Sequence, residues 1–326
     1  MPYFLAIDAG GTHTRALLAD EHRIFARVST GSIKLQRAGE SEATSRLASM
    51  LQELSTAANI PLTQITRTCI GLAGITLPAV RAWATRSLSE QVSGELLLLG
   101  DEEIALDAAF PGAPGILLIA GTGSHAIARA PGGTLHRAGG HGPILGDEGG
   151  GFWIGLEALR AALSAQDSRS DDGSASALLH AIRQHWNLAS LPELIELGNR
   201  RGNAAHPVPD FASLAPVVAG CAADGNAVAI GVLHRAGEQL AQLIHAVADK
   251  IAPASPAATQ HASIGRKIPV AFTGSVLEHI PAVRTSFAST LARTLPAAPL
   301  SDTPIDPLDG ALYRARRGGS SQAHSS

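Results

Sequence analysis

The stretch Phe4-Leu5-Ala6-Ile7-Asp8-Ala9-Gly10-Gly11-Thr12-His13 aligns without gaps on Ile116-Leu117-Leu118-Ile119-Ala120-Gly121-Thr122-Gly123-Ser124-His125. In each copy an apolar run the length of a buried strand enters a turn built of glycine, threonine and serine. A further short strand then follows, Arg15–Ala19 in the first copy and Ala126–Ala130 in the second. The match therefore extends to the β-hairpin that carries the turn. The length of 326 residues suits two ordinary domains. The Pro/Gly-rich break Pro111-Gly112-Ala113-Pro114-Gly115 is the expected boundary between them.

Between the copies, apolar strands and helices alternate. Strands are expected at Phe4–Ile7, Arg15–Ala19 and Arg23–Val28, then a helix from Ser41 with Leu47, Met50, Leu51 and Leu54 at helical spacing. A strand over Thr68–Leu72, a helix over Ala79–Leu88, a strand over Leu96–Leu99 and a short helix after Asp101 follow in the alternation of a parallel α/β sheet. The second half adds helical segments at Ala177–Trp186, Leu191–Leu197 and Ala227–Ile251, a Pro/Ala/Ser-rich loop over 253–267, and a strand over Ile268–Thr273.

Composition excludes several classes. Lys plus Arg number 25 against 28 Asp plus Glu, a net charge of −3, which leaves no electrostatic footprint for nucleic acid. Hydrophobic residues are 45% and charged ones 16% of the chain, enough to build a large core. Two cysteines, Cys69 and Cys221, exclude a disulfide framework. The three lysines follow Ile33, Asp249 and Arg266, so none is the Gly-Lys of a P-loop. The N-terminus has no basic segment before its apolar run, and no stretch approaches the ~20 apolar residues that span a bilayer. A cytoplasmic protein without a membrane partner is expected.

Five constellations carry chemistry. In Asp8-Ala9-Gly10-Gly11-Thr12-His13-Thr14, glycines let backbone N–H groups approach phosphate oxygens, and Thr12 and Thr14 add hydroxyl donors. Asp8 at the strand end suits Mg²⁺ held through water. Gly121-Thr122-Gly123-Ser124 is the partner turn, with Ala120 where the first copy has Asp8, so only one turn brings a carboxylate. Asp101, after the Leu96–Leu99 strand, reads either as acidic helix-start chemistry or as a ligand-facing acid at the carboxyl end of a parallel strand. The glycine-rich run Gly139 to Gly151, with Asp147-Glu148 and the following Phe152-Trp153, suits a sugar site, where carboxylates accept hydroxyl hydrogen bonds. Phe272-Thr273-Gly274-Ser275-Val276 is a strand-to-helix turn against which a planar base can lie.

The order Asp8-Ala-Gly-Gly-Thr, Gly71-Leu72-Ala73-Gly74, Asp101, Gly121-Thr-Gly-Ser, Gly146-Asp-Glu-Gly, Gly274-Ser-Val and Asp309-Gly310-Ala311 resembles the N-acetylglucosamine kinase branch of the BadF/BadG/BcrA/BcrD ATPase family, within the actin-like ATPase and sugar kinase superfamily. The resemblance implies an α/β protein of two ribonuclease H-like domains with an interdomain ATP/sugar cleft. Residues 1–112 with a C-terminal helix 306–317 would form the first domain, 113–305 with a helical insertion the second, and 318–326 a disordered tail. It implies ATP and Mg²⁺ as cofactors, transfer of the γ-phosphate to the 6-hydroxyl of an amino sugar, and a small-molecule sugar as partner; a homodimer is compatible with it.

Residue by residue, Asp101 looks like the family's catalytic base. Asp8, Gly10, Gly11 and Thr12 resemble its first phosphate turn, and Gly121, Thr122 and Gly123 its second, while Gly274 and Ser275 fall where adenosine is held. Ser124, His125, Gly140, His141, Asp147 and Glu148 fall on the sugar side. Lys34 stands near a family Asn, His125 replaces an Asn and His141 a Trp, so the phosphoryl machinery matches better than the sugar pocket. Two alternatives stand beside this one. An activator ATPase of an acyl-CoA reductase or dehydratase would need iron–sulfur cysteines, which Cys69 and Cys221 do not match; Asp101 and Asp147 argue against a non-catalytic sugar sensor. The zinc-containing repressor/kinase family is disfavoured because its Cys-rich motif is absent.

Overall fold

The computed structural model describes residues 1–168, 172–200, 202, 208–251 and 267–318. The expected loop at 253–267 and the expected disordered tail at 318–326 lie outside the described residues except for Lys267 and Gly318. The chain divides into two compact units, one formed by Met1–Gly115 with Pro304–Ser326 and the other by Ile116–Thr303.

In the first unit, β1 (Tyr3–Ala9), β2 (His13–Ala19), β3 (Ile24–Gly31), β4 (Ile65–Leu72) and β5 (Glu95–Leu99) form one sheet in the order β3-β2-β1-β4-β5. β1, β2 and β3 are antiparallel neighbours, whereas β1, β4 and β5 run parallel. β1 is buried on both faces, as a central strand of an α/β sheet must be. Leu5, Ile7 and Ala9 share a cluster with Leu47, Met50, Leu51 and Leu54 of α2 (Glu40–Ala58) and Val80, Trp83 and Leu88 of α3 (Pro78–Ser89). Phe4 and Ala6 pack on the other face with Ile104 of α4 (Asp101–Ala109) and with Leu308, Ala311, Leu312 and Ala315 of α12 (Pro307–Arg317). Those four α12 residues recur at helical spacing, and each leucine buried there contributes about 1.5–3 kcal/mol. A short helix, α1 (Leu35–Ala38), precedes α2.

The second unit repeats the plan. β6 (Gly115–Ala120), β7 (Ser124–Arg129), β8 (Leu135–Gly139), β9 (Val270–Thr273) and β10 (Leu300–Ser301) are ordered β10-β9-β6-β7-β8, which is the first sheet's order with each strand's counterpart in place. What reads in sequence as a repeated hairpin is a repeated sheet. Its helices are α5 (Gly151–Gln166), α6 (Ser174–His185), α7 (Leu191–Gly198), α8 (Ala215–Ala223), α9 (Ala227–Ile251), α10 (Ser275–His279) and α11 (Pro281–Thr294). The buried stripe of α9, including Val232, Ala236, Leu240 and Ile244, joins β6, α5 and α11 in one core. Among the described residues no single helix is long and apolar enough to cross a membrane. Strands β8 and β10 were not anticipated, because Leu-His-Arg-Ala-Gly is too polar and Leu-Ser too short to show a strand pattern.

Candidate active site

The first unit gathers its candidates at one end of its sheet. Asp8 on β1 lies in register with Gly71 on β4, and Gly71 with Leu99 on β5. Asp8 and Leu99 are therefore two strands apart, about 10 Å at the usual spacing. Leu99 is followed by Gly100, the N-cap of α4, and Asp101 is the first residue of that helix. Asp101 thus stands beyond the carboxyl end of β5, where such sheets place ligands, and its Oδ1 accepts a hydrogen bond from the Glu102 N–H at 3.1 Å.

Asp8 sits in a charged cluster that sequence reasoning missed. The side chain is 13% exposed, and its Oδ2 takes a 2.6 Å hydrogen bond from Arg15 Nη2. The same guanidinium reaches Asp306 Oδ1 at 2.8 Å, while Asp306 caps α12 by accepting from the Leu308 N–H at 3.1 Å. Burial pushes the Asp8 carboxyl above its ordinary pKa, and the bond and charge of Arg15 pull against that rise. The signal for Arg15 was present in the hairpin register, which sets it directly across from Asp8. Asp306 comes from nearly the opposite end of the chain and had none.

Between β1 and β2, the Gly10 N–H donates to the His13 carbonyl at 3.1 Å, closing a turn that leaves Gly11, Thr12 and His13 exposed. At Gly11 a Cβ would meet nothing within 4 Å, and its φ is not in the left-handed region. The fold itself gains nothing from glycine there; what glycine does is leave backbone N–H groups uncovered. Thr14 was expected to add a hydroxyl to this turn. Instead it is fully buried as an inward residue of β2, and its hydroxyl accepts from the Ile33 N–H at 3.3 Å.

In the second unit the partner turn is shorter, the Gly121 N–H donating to the Gly123 carbonyl at 2.9 Å. A Cβ at Gly121 would also meet nothing within 4 Å. Gly123 differs, because its Cβ would fall 2.2 Å from Asp147 Oδ2. The start of α5 grips the turn: the Gly151 N–H donates to the Gly121 carbonyl at 2.8 Å and the Phe152 N–H to the Thr122 carbonyl at 2.9 Å. Ser124 Oγ, buried, donates to the Glu148 carbonyl at 2.7 Å. The Gly-Asp-Glu-Gly loop and the Gly-Thr-Gly turn are therefore one hydrogen-bonded assembly.

Asp147 is the centre of that assembly. It is 9% exposed, holds a non-glycine φ of 60°, and its Oδ1 accepts from the Gly142 N–H at 3.1 Å. Burial raises its pKa; the Gly142 N–H, His125 and His141 lower it, and Glu148 raises it. A Cβ on Gly140 would stand 3.2 Å from His125 Cβ, and the charges of His125 and His141 both act on the acid. Gly274, at φ 104°, comes so close to the Ala120 carbonyl that a Cβ would stand 2.4 Å from its oxygen. It caps α10 ahead of Ser275, and Glu278 Oε1 accepts from the Gly274 N–H and from Thr273 Oγ1, both at 2.8 Å. Glu278 was missed: it lies four residues past the Gly274 cap, one beyond the capping-box spacing that a sequence search would look for.

Among the described residues no group of three or more His, Cys, Asp and Glu side chains could hold a metal. Mg²⁺ needs no such group, since it commonly takes one or two carboxylates together with phosphate oxygens and waters. Asp8, a largely buried carboxylate beside a turn with open backbone, fits that donor set.

The profile of the BadF/BadG/BcrA/BcrD ATPase family matches residues 5–312. The chain belongs to this family. An N-acetylmuramic acid/N-acetylglucosamine kinase of Clostridium acetobutylicum is 27% identical over 320 residues, covering 97% of this chain and 99% of its own. An N-acetyl-D-glucosamine kinase of Dictyostelium discoideum is 25% identical over 325 residues, covering 96% and 97%. A crystal structure from Chromobacterium violaceum, described as an N-acetylglucosamine kinase, superposes with a TM-score of 0.70 at 26% identity, covering 96% of this chain and 98% of that one. Both cysteines of this family member are free; Cys69 is buried in β4 and Cys221 half-buried in α8.

Proposed function

We propose that this chain transfers the γ-phosphoryl group of ATP to the 6-hydroxyl of an N-acetylated amino sugar, N-acetylglucosamine first. It is an ATP-dependent sugar phosphotransferase, as its family and its two relatives named as kinases over their full length indicate. One observation supports a polyphosphate donor: Gly11 and Gly121 lie outside the left-handed φ region, with nothing in the protein within 4 Å for a Cβ to meet. Backbone kept bare in that way on both turns suits phosphate oxygens.

In this mechanism Asp101 orients the acceptor hydroxyl and takes its proton late, which asks for no large pKa shift. Phosphoryl transfer through a loose transition state needs positioning and charge neutralisation more than covalent chemistry. The open N–H groups of each turn are suited to phosphate oxygens. Asp8, braced by Arg15, would hold Mg²⁺, which supplies charge neutralisation to the phosphates. Asp147 accepts hydrogen bonds from sugar hydroxyls, and Gly274 and Ser275 offer backbone to adenosine. The basic side chains His125 and His141, whose charges act on Asp147, suit an uncharged acetamido group at C2 better than an ammonium.

The test is a substrate panel of N-acetylglucosamine, glucosamine, glucose, N-acetylmannosamine and N-acetylmuramic acid, with the product mapped by NMR, run beside Asp101→Asn. Phosphate at C6 of N-acetylglucosamine and a kcat lower by about 10²–10⁴-fold in the variant are expected. Near-parental turnover of Asp101→Asn would return that residue to the role of a helix-start acid. A preference for glucosamine at pH 5.5 would remove the two imidazoles from the C2 side.

A further inference from the structure

Ile104 stands on α4 one turn after Asp101 and is fully buried. Residues three apart share a helix face, so whatever fixes Ile104 fixes the height and rotation of the turn that carries Asp101. Two glycines grip it. Beneath it, a Cβ on Gly71 would fall 2.2 Å from Ile104 Cδ1 and 2.4 Å from its Cγ1. Above it, a Cβ on Gly310 of α12 would fall 1.8 Å from the Ile104 carbonyl oxygen and 2.6 Å from the Ala108 nitrogen. Neither glycine has a positive φ, so backbone freedom does not explain them; only the closeness of the approach does. Gly71 also lies in register between Asp8 on one side and Leu99 on the other.

We infer that Gly71 is a positioning residue for Asp101: its missing side chain lets the first turn of α4 settle onto the sheet end that carries Asp8, and Gly310 clamps that turn from the other side. The inference rests on Asp101 being the base. A methyl group on Gly71 has to regain more than 1 Å from Ile104 to reach an ordinary contact. Ile104 cannot easily yield by turning, because a β-branched side chain in a helix has one strongly preferred χ1. Gly310 blocks retreat along the α12 side, so the helix itself shifts and carries Asp101 with it. A misplacement of about 1 Å at a catalytic group costs on the order of 10²-fold in rate.

The experiment compares Gly71→Ala, Gly71→Ala/Ile104→Ala and Asp101→Asn in the full chain by steady-state kinetics and thermal melts. Gly71→Ala should lower kcat by about 10²-fold while KM for ATP and for sugar stays within about threefold, a split that general loosening of the fold would not produce. Removing the crowding atoms with Ile104→Ala should restore kcat to within about tenfold of the parent. Parental kcat in Gly71→Ala overturns the inference, as does a loss that the folded double variant leaves unrepaired. Should Gly71→Ala fail to fold, Gly71→Ala/Ile104→Val decides: it removes the Cδ1 that would lie 2.2 Å from the new methyl but keeps the Cγ1 at 2.4 Å, so kcat should still fall, and a parental kcat overturns the inference. An active Asp101→Asn would instead refute the base assignment, which keeps the two failures apart.

Discussion

Asp147→Asn separates a sugar ligand from a loop brace. Asn is isosteric, tolerates the positive φ of 60° found here, and can still accept the Gly142 N–H through Oδ1. What it removes is the charge. A hydrogen bond to a charged acceptor contributes about 1.5–3 kcal/mol, so loss of one such bond to a sugar hydroxyl should raise the sugar KM by about 10–150-fold. KM for ATP should stay put. Stability moves the other way. Burial raises the folded-state pKa of Asp147 above its value of 3.8 in the unfolded chain, so its contribution to stability is full below that value and is lost as pH rises through the folded pKa. The Asn variant has no such loss; it should melt at or above the parental temperature at pH 7.5, and the difference should close toward pH 4. Sugar titrations in a coupled ATP assay and melts at both pH values read all of this. A sugar KM within threefold of the parent, or a melting temperature more than 5 °C lower at pH 7.5, would refute the assignment and leave Asp147 as a brace between Gly142 and the Gly-Thr-Gly turn.

Asp8→Ala should raise the Mg²⁺ needed for half-maximal rate, since Ala120 gives the second turn no substitute carboxylate; an unchanged Mg²⁺ titration refutes it. Calorimetry with Mg²⁺ alone should show no binding to the parent protein, because one carboxylate completes a site only with phosphate oxygens; tight binding without nucleotide would point to a donor set elsewhere. The ion pair of Arg314 with Asp107, 2.5 Å long, is asymmetric, Asp107 being fully buried and Arg314 22% exposed. Removing one partner of a buried pair costs about 3–5 kcal/mol, and Arg314→Met should sit at the upper end because the carboxylate left behind has no path to water, whereas in Asp107→Ala the guanidinium does. Equal melting temperatures for the two variants would refute that ordering.

Much of the architecture was legible in one dimension because its signals are local. The apolar run into Gly10-Gly11 and into Gly121-Thr122-Gly123 marks the two central strands, and α9 from Ala227 to Ile251 shows its buried stripe in its spacing alone. The glycine-rich turns and the acids Asp8, Asp101 and Asp147 were visible for the same reason: they are residue types with a stated chemistry at the ends of recognisable strands. The sequence could also show that Ala120 stands opposite Asp8 in the repeat, and hence that the chain has one carboxylate turn and not two. Contacts between residues distant in the chain were not legible. Nothing near Asp8 announces Asp306 as the second partner of Arg15, and nothing near Thr14 announces that Ile33 takes its hydroxyl. Gly71 and Gly310 read as ordinary glycines until β4, α4 and α12 are brought together around Ile104. Periodicity and turn chemistry act over a few residues and so are written in order along the chain; close approach and charge pairing depend on which faces pack, and only the folded backbone decides that.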